Sequence, residues 1–206
     1  MSRPTIGIVD YGVGNLASVL NALRVMGFRC RVAATESALT DSHLLLLPGV
    51  GAFPPAMQAL DVRGFTGVIR AQAAAGKPVI GICLGMQLLA DSSMETRLTP
   101  GLSLIPGTVV PLAEGGWHIG WNRIDAVTSD PMFAGADGQE VYFNHSYEVR
   151  TTPEFASAVA RVEASAAPIT VAVRRDNVVG LQFHPEKSQD AGRRLLSDVI
   201  QGLLRA

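Results

Sequence analysis

Four consecutive leucines, Leu44-Leu45-Leu46-Leu47, leave the chain few ways to fold. A strand turns successive side chains to opposite faces, so a run that is apolar at every position belongs in a sheet covered on both sides, as parallel strands are in α/β folds. The surrounding segments fit that architecture. Residues 5–9 read as another buried strand, 15–26 as an amphipathic helix closed by Gly27, 28–33 as a second strand and 43–47 as a third. Residues 54–75 read as one or two helices ended by Gly76, followed by the strand-like Lys77-Pro78-Val79-Ile80 and the helix-like Leu84-Gly85-Met86-Gln87-Leu88-Leu89-Ala90. The second half has another rhythm: strand-like pieces at 119–127, 140–149, 157–162, 169–174 and 178–184 are separated by turns, which predicts antiparallel pairing. A last helix over 191–204 is expected to pack back on the sheet. The expected architecture is a single α/β domain over residues 1–206, with a mixed, mostly parallel central sheet flanked by helices and an antiparallel extension in the second half.

Composition narrows the function. With 206 residues, 48% hydrophobic and 17% charged, the chain is long and apolar enough to bury one full core. A formal net charge of -1, with no basic block longer than Arg174-Arg175 or Arg193-Arg194, gives no electrostatic footprint for nucleic acid or an anionic membrane. No secretory signal is read at the N-terminus, and no apolar stretch approaches the roughly 18 residues of a membrane span. The two cysteines, Cys30 and Cys83, are expected to be reduced in a cytoplasmic setting, and no Cys/His spacing suits a zinc or other metal site.

Cys83 stands in Gly81-Ile82-Cys83-Leu84-Gly85, between a strand and a helix. That pattern reads as a nucleophile elbow: small neighbours give room for a sharp turn that lifts the side chain out of the sheet. A helix N-terminus favours thiolate, and the amide after the nucleophile, on Leu84, is a natural donor to an oxyanion. In Gly180-Leu181-Gln182-Phe183-His184-Pro185-Glu186, strand alternation would set His184 and Glu186 on one side, with Glu186 orienting the imidazole that serves Cys83. Alone, an apolar-strand cysteine is usually a small buried hydrophobe, and a His-Pro usually ends a strand. Together they make a Cys-His-Glu triad the stronger reading.

Gly12-Val13-Gly14-Asn15-Leu16-Ala17 fits the dinucleotide pattern G-x-G-x-x-A, with Glu36 about 20 residues on. Asp10 and Tyr11 put bulk where that turn is tight, and an elbow cysteine has no part in such chemistry. Nicotinamide binding is therefore set aside.

Gly81-Ile82-Cys83-Leu84-Gly85-Met86-Gln87 with His184-Pro185-Glu186 resembles the class I, triad-type glutamine amidotransferases, whose domain removes the amide of glutamine and passes ammonia to a synthase. Within that class, Asp10 to Leu16, Leu47 to Phe53, His118 to Asn122, Tyr142 to Tyr147 and His184 to Gln189 resemble the glutaminase subunits of imidazole glycerol phosphate synthase. The resemblance implies a flavodoxin-like fold, no metal or organic cofactor, L-glutamine as substrate, and Cys83, His184 and Glu186 as nucleophile, general acid/base and orienting residue. It implies an oxyanion hole made by Leu84 with Val50 and Gly51, a loop that a peptide flip could switch. It implies glutamine contacts at Gly49, Gly51, Gln87, His145, Ser146 and Tyr147, and a partner face at Asn15, Trp121, Tyr142 and Lys187. The partner implied is a cyclase subunit of barrel fold, joined as a heterodimer through an ammonia channel and serving histidine biosynthesis. Trp117, Ile119 and Asn144 depart from the family's usual residues, which bears on that face and leaves the triad untouched. Alternatives are the glutaminase subunit of another amidotransferase, a standalone cysteine hydrolase with the same triad, and an idle interaction protein.

Overall fold

The leucine run sets the centre of the sheet. In a computed structural model, which describes residues 3–112, 116–163, 165 and 167–206, Leu44 and Leu46 pack into one apolar cluster with Ile6, Ile8, Ile80 and Ile82. Leu45 and Leu47 pack into a second, with Val9, Phe53, Leu60 and Ile69. All four leucines are fully buried. Each buried leucine contributes about 1.5–3 kcal/mol relative to exposure, so the run alone favours a two-faced core strongly.

In chain order the elements are β1 (Thr5–Val9), α1 (Leu16–Val25), β2 (Arg29–Ala33), α2 (Glu36–Thr40), β3 (Leu44–Leu47), α3 (Phe53–Val62), α4 (Phe65–Ala74), β4 (Val79–Ile82) and α5 (Leu84–Leu88). There follow β5 (Ala90–Ser93), β6 (Thr99–Pro100), β7 (Ile105–Pro111), β8 (His118–Arg123), β9 (Asp125–Ala126), β10 (Glu140–His145), β11 (Tyr147–Arg150), β12 (Ala156–Ala160), β13 (Ile169–Arg175), β14 (Val178–Leu181) and α6 (Gln189–Arg205). The main sheet has the order β2-β1-β3-β4-β14-β13-β12-β9. Its members from β2 to β14 pair in parallel, and β13, β12 and β9 continue it antiparallel. A second sheet pairs β10 with β8, and a third has the order β11-β7-β5-β6.

The expected mixed sheet is present, and four of the expected elements differ from their reading. Residues 178–184 do not extend the antiparallel part alone: β14 lies antiparallel to β13 on one side and parallel to β4 on the other. The strand expected over 140–149 breaks at Ser146, and its halves pair in different sheets. The strand expected over 119–127 likewise divides at the buried Ile124. The helix behind Cys83 spans only Leu84–Leu88, because the chain turns at once into β5.

Candidate active site

Cys83 leaves β4 with φ 53° and ψ -113°, a conformation that costs a non-glycine residue about 1–3 kcal/mol and persists only where its surroundings hold it. They do so by close approach. A Cβ on Gly81 would lie 2.5 Å from the Gly85 carbonyl oxygen, and one on Gly85 would run into the carbonyl oxygen of Leu47. The glycines therefore bring the turn down onto the next strand, and the Cys83 N–H donates to Leu181 O at 2.7 Å, tying the turn to β14. Because α5 is a single short helix, its contribution at the thiol is that of its unpaired first N–H groups rather than of a long macrodipole.

His184 and Glu186 come together without the strand alternation expected of them. The chain leaves β14 at Leu181, and Pro185–Lys187 form a 3-10 turn. His184 Nδ1–H donates to Glu186 Oε1 at 2.8 Å, with both side chains almost wholly buried. Ser188, fully buried, locks this turn: its hydroxyl donates to the His184 carbonyl at 2.7 Å and accepts from the Tyr142 N–H at 2.9 Å. Burial alone would lower the affinity of the imidazole for its proton. Hydrogen bonds to Cys83 and Glu186, with their charges, outweigh burial and raise His184 to about 9. That balance favours the protonated imidazole facing Cys83.

Cys83, Leu84, Gln87, Val50, Gly51, His145, Ser146, Tyr147, His184 and Lys187 line one cleft of about 420 Å³. Gly49 does not line it but lies under the floor, where a Cβ would meet Leu84 Cβ at 2.8 Å and Tyr11 Oη at 2.9 Å. Glu186 sits behind His184. Trp121 and Tyr142 do not line the cleft: they face each other across β8 and β10 with ring centroids 6.2 Å apart, and the cleft-lining Lys187 places its Nζ 5.8 Å from the Tyr142 ring. Asn15 lies elsewhere, capping α1 through Ser18 N–H, while α1 packs near the Pro185–Lys187 turn.

Several members of the site carry no distinct signal in the sequence. Glu95 enters the cleft and accepts from the Phe53 N–H at 2.7 Å, capping α3. Gln182, fully buried, accepts from Gln87 Nε2 at 3.1 Å and directs its own Nε2 at Cys83 Sγ, 3.8 Å away. A polar residue inside an otherwise apolar strand was the one available sign of Gln182. Tyr11, in the segment that mimics a dinucleotide loop, is buried and donates to Pro48 O at 2.7 Å. Burial, followed by the nearby Cys83 charge, raises its phenol above the ordinary range. Trp117 and Asn144, two of the unusual residues, pair with each other: the indole N–H donates to Asn144 Oδ1 at 3.0 Å.

Among the described residues no group of three or more His, Cys, Asp and Glu side chains is arranged to hold a metal ion, and no helix is long and apolar enough to cross a membrane.

A model of the glutamine amidotransferase class-I family matches residues 7–201. The chain is 46% identical over 196 residues to the imidazole glycerol phosphate synthase subunit HisH of Symbiobacterium thermophilum, covering 94% of this chain and 92% of that one. It is 43% identical over 203 residues to the subunit of the same name from Syntrophotalea carbinolica, covering 94% and 98%. A crystal structure of a glutamine amidotransferase shares the fold with a TM-score of 0.76 at 20% identity, covering 98% of this chain and 99% of that one. The cysteine turn, its buried histidine and glutamate, and these relatives agree: the chain belongs to the class-I glutamine amidotransferases, among the HisH subunits of imidazole glycerol phosphate synthase.

Proposed function

We infer that the protein hydrolyses L-glutamine to glutamate and ammonia and passes the ammonia to a cyclase subunit that makes imidazole glycerol phosphate and an aminoimidazole carboxamide ribonucleotide in histidine biosynthesis. The observation that carries this reading is the strained Cys83 turn, held beside a buried His184–Glu186 pair inside a cleft of amino-acid size. Residues 1–206 act as one type 1 amidotransferase domain, and the setting is cytoplasmic.

His184, oriented by Glu186 and in surroundings that favour its protonated form, takes the proton of Cys83 and leaves the sulfur as thiolate. The thiolate attacks the side-chain carboxamide carbon of glutamine, and the carbonyl oxygen becomes an oxyanion. Leu84 N–H and an N–H of the Val50–Gly51 peptide receive that charge. Gly51, at φ +98°, stands in a backbone region that makes such a flip accessible. His184 protonates the leaving ammonia while Glu186 holds the ring. Water, deprotonated by His184, then attacks the γ-glutamyl thioester, releasing glutamate and restoring the thiolate. Gln87 and the chain at His145, Ser146 and Tyr147 grip the amino acid. The carboxylate of Glu95 is placed to meet its α-ammonium group.

Trp121, Tyr142 and Lys187, grouped around the Tyr142 ring, with Asn15 at the start of α1, form the face toward the cyclase, which receives ammonia before water can protonate it. Loss of a single oxyanion donor costs about 10²–10³ in turnover, so a partner that sets the Val50–Gly51 peptide would gate the reaction. Glutamate release from glutamine by the chain alone, then with the cyclase subunit and its nucleotide ligand, tests this directly. A steep rise in the mixture that disappears in Cys83→Ala is the expected result. Equal activity with and without the partner would make the protein a standalone hydrolase.

A further inference from the structure

Outside the residues assigned to the reaction, an unbroken chain of hydrogen bonds leads from the outer strand β8 to the cleft. Asn122 Nδ2 donates to the Arg161 carbonyl at 2.8 Å. A carbonyl only accepts, so this bond fixes which end of the Asn122 amide is nitrogen. The same nitrogen lies 3.1 Å from His118 Nε2, which must therefore accept. His118 then carries its proton on Nδ1 and donates to His145 Nε2 at 2.9 Å. His145, accepting there, carries its proton on Nδ1 and donates to the Tyr147 carbonyl at 2.8 Å. That carbonyl also accepts from Gln87 Nε2 at 3.2 Å, and Gln87 continues to Gln182.

The donor order permits one tautomer at each ring. A second proton on His145 would set two N–H groups against each other between the rings, and one on His118 would set its Nε2–H against the Asn122 amide N–H. Burial lowers both histidines to about 4; at His145 the Tyr147 bond opposes burial, while the His118 and His184 charges reinforce it. Both rings are therefore neutral through the working range. His118 is also stacked on the buried Phe143 with ring centroids 4.3 Å apart, which fixes its plane. The arrangement has a direction, from the strand that bears Trp121 inward to residues that line the cleft.

We propose that His118 and Asn122 are positioning residues for glutamine hydrolysis, acting through His145 to hold the Tyr147 carbonyl and the Gln87 amide where the substrate is gripped. This rests on the glutaminase reading above. Without the His118 bond, the His145 ring is free to turn over, and Tyr147 O loses its firmer donor.

The test uses the whole chain and two readouts. Ring ¹⁵N resonances should show His118 and His145 as neutral Nδ1–H tautomers at pH 7, with His145 losing its single tautomer in His118→Phe, a change that keeps the stacked ring and removes both bonds. In the complex with the cyclase subunit, His118→Phe should raise KM for glutamine about tenfold, the scale of one hydrogen bond, while kcat stays within about threefold. His118→Asn, whose amide N–H takes the place of Nδ1–H, should restore most of the lost KM. If His118→Phe does not fold, Asn122→Leu removes the upstream donor and should produce the same KM-selective loss. An Nε2–H tautomer at either ring, or an unchanged KM in an active enzyme, overturns the proposal. A merely structural role would lower kcat and thermal stability together and leave KM alone. Wild-type protein that does not hydrolyse glutamine at all would instead overturn the functional reading, and this proposal with it.

Discussion

Strand β3 in the parallel half buries every side chain, whereas β8 in the second half turns Ile119, Trp121 and Arg123 to solvent and His118, Gly120 and Asn122 inward. The contrast separates two jobs. A strand covered on both faces has no free surface with which to meet a substrate or partner, but it can hold the turn at its end in a strained shape. Two-faced strands do the opposite, with one face outward and the other toward the cleft. Cys83 ends β4 and His184 follows β14, the neighbouring parallel strands where the two halves meet. The catalytic reading thus places the strained turn on the rigid side of the seam, while the cleft draws its lining from both halves.

If that division holds, changes in the two halves should fail in different ways. The largest effect is expected at the seam: Cys83→Ala should reduce glutamine hydrolysis by about 10⁴-fold or more while the protein remains folded, as glutamate release and a melting curve would show. Gly85→Ala should break the parallel half itself, because its Cβ runs into Leu47 O. A loss of roughly 3 kcal/mol or more in urea unfolding is expected, with activity falling further than the folded fraction because the same close approach seats the Cys83 turn. Glu186→Gln should retain most of the fold but lower kcat about 10–100-fold and move the His184 titration down, seen in the pH dependence of kcat/KM.

A smaller effect, in stability against pH, has opposite signs on the two sides. His184 binds its proton more tightly folded than unfolded, so its contribution is complete below about 6.5, the unfolded value, and is lost as pH rises through about 9. His118 and His145 bind theirs less tightly when folded, so stability falls as pH drops from about 6.5 toward about 4. Melting temperature should accordingly be highest near the middle of that range. His118→Phe should flatten the acid limb and Glu186→Gln the alkaline one; identical curves for all three proteins would contradict the assignment. The smallest change is a control away from both jobs: Gly67→Ala lies within α4 with open space around the new methyl and should stabilise by about 0.5–1 kcal/mol without altering activity.

The same contrast governs what could be read in advance. Apolar runs identified β1, β3 and β4, and the Gly-Cys-Gly turn was legible because steric demand leaves a mark on neighbouring residues. β5, with the sequence Ala-Asp-Ser-Ser, and β7, with two prolines and a glycine, have no apolar run to announce them; their pairing with each other and with β11 supplies what propensity does not. The five-residue α2 falls below the length at which helical periodicity is visible. In the site, Cys83, His184 and Glu186 could be named, but the means by which the latter two meet could not. Their proximity depends on a 3-10 turn and on Ser188, a side chain whose importance comes from a strand 46 residues away in sequence. Glu95 was silent, Gln182 showed only as a polar residue in an apolar run, and His118 and Asn122 only as part of a stretch of family resemblance, because the partners of each are brought near only by tertiary packing.

The central claim is that the thiol at the seam of the two halves is the group that meets glutamine. The most direct test is to treat the whole protein with a glutamine-analogue electrophile, with and without excess L-glutamine, and map the adduct by peptide mass spectrometry. A single adduct on Cys83, slowed by glutamine and absent from Cys30, is the predicted result. An adduct on Cys30, or labelling of Cys83 that glutamine does not slow, would contradict it.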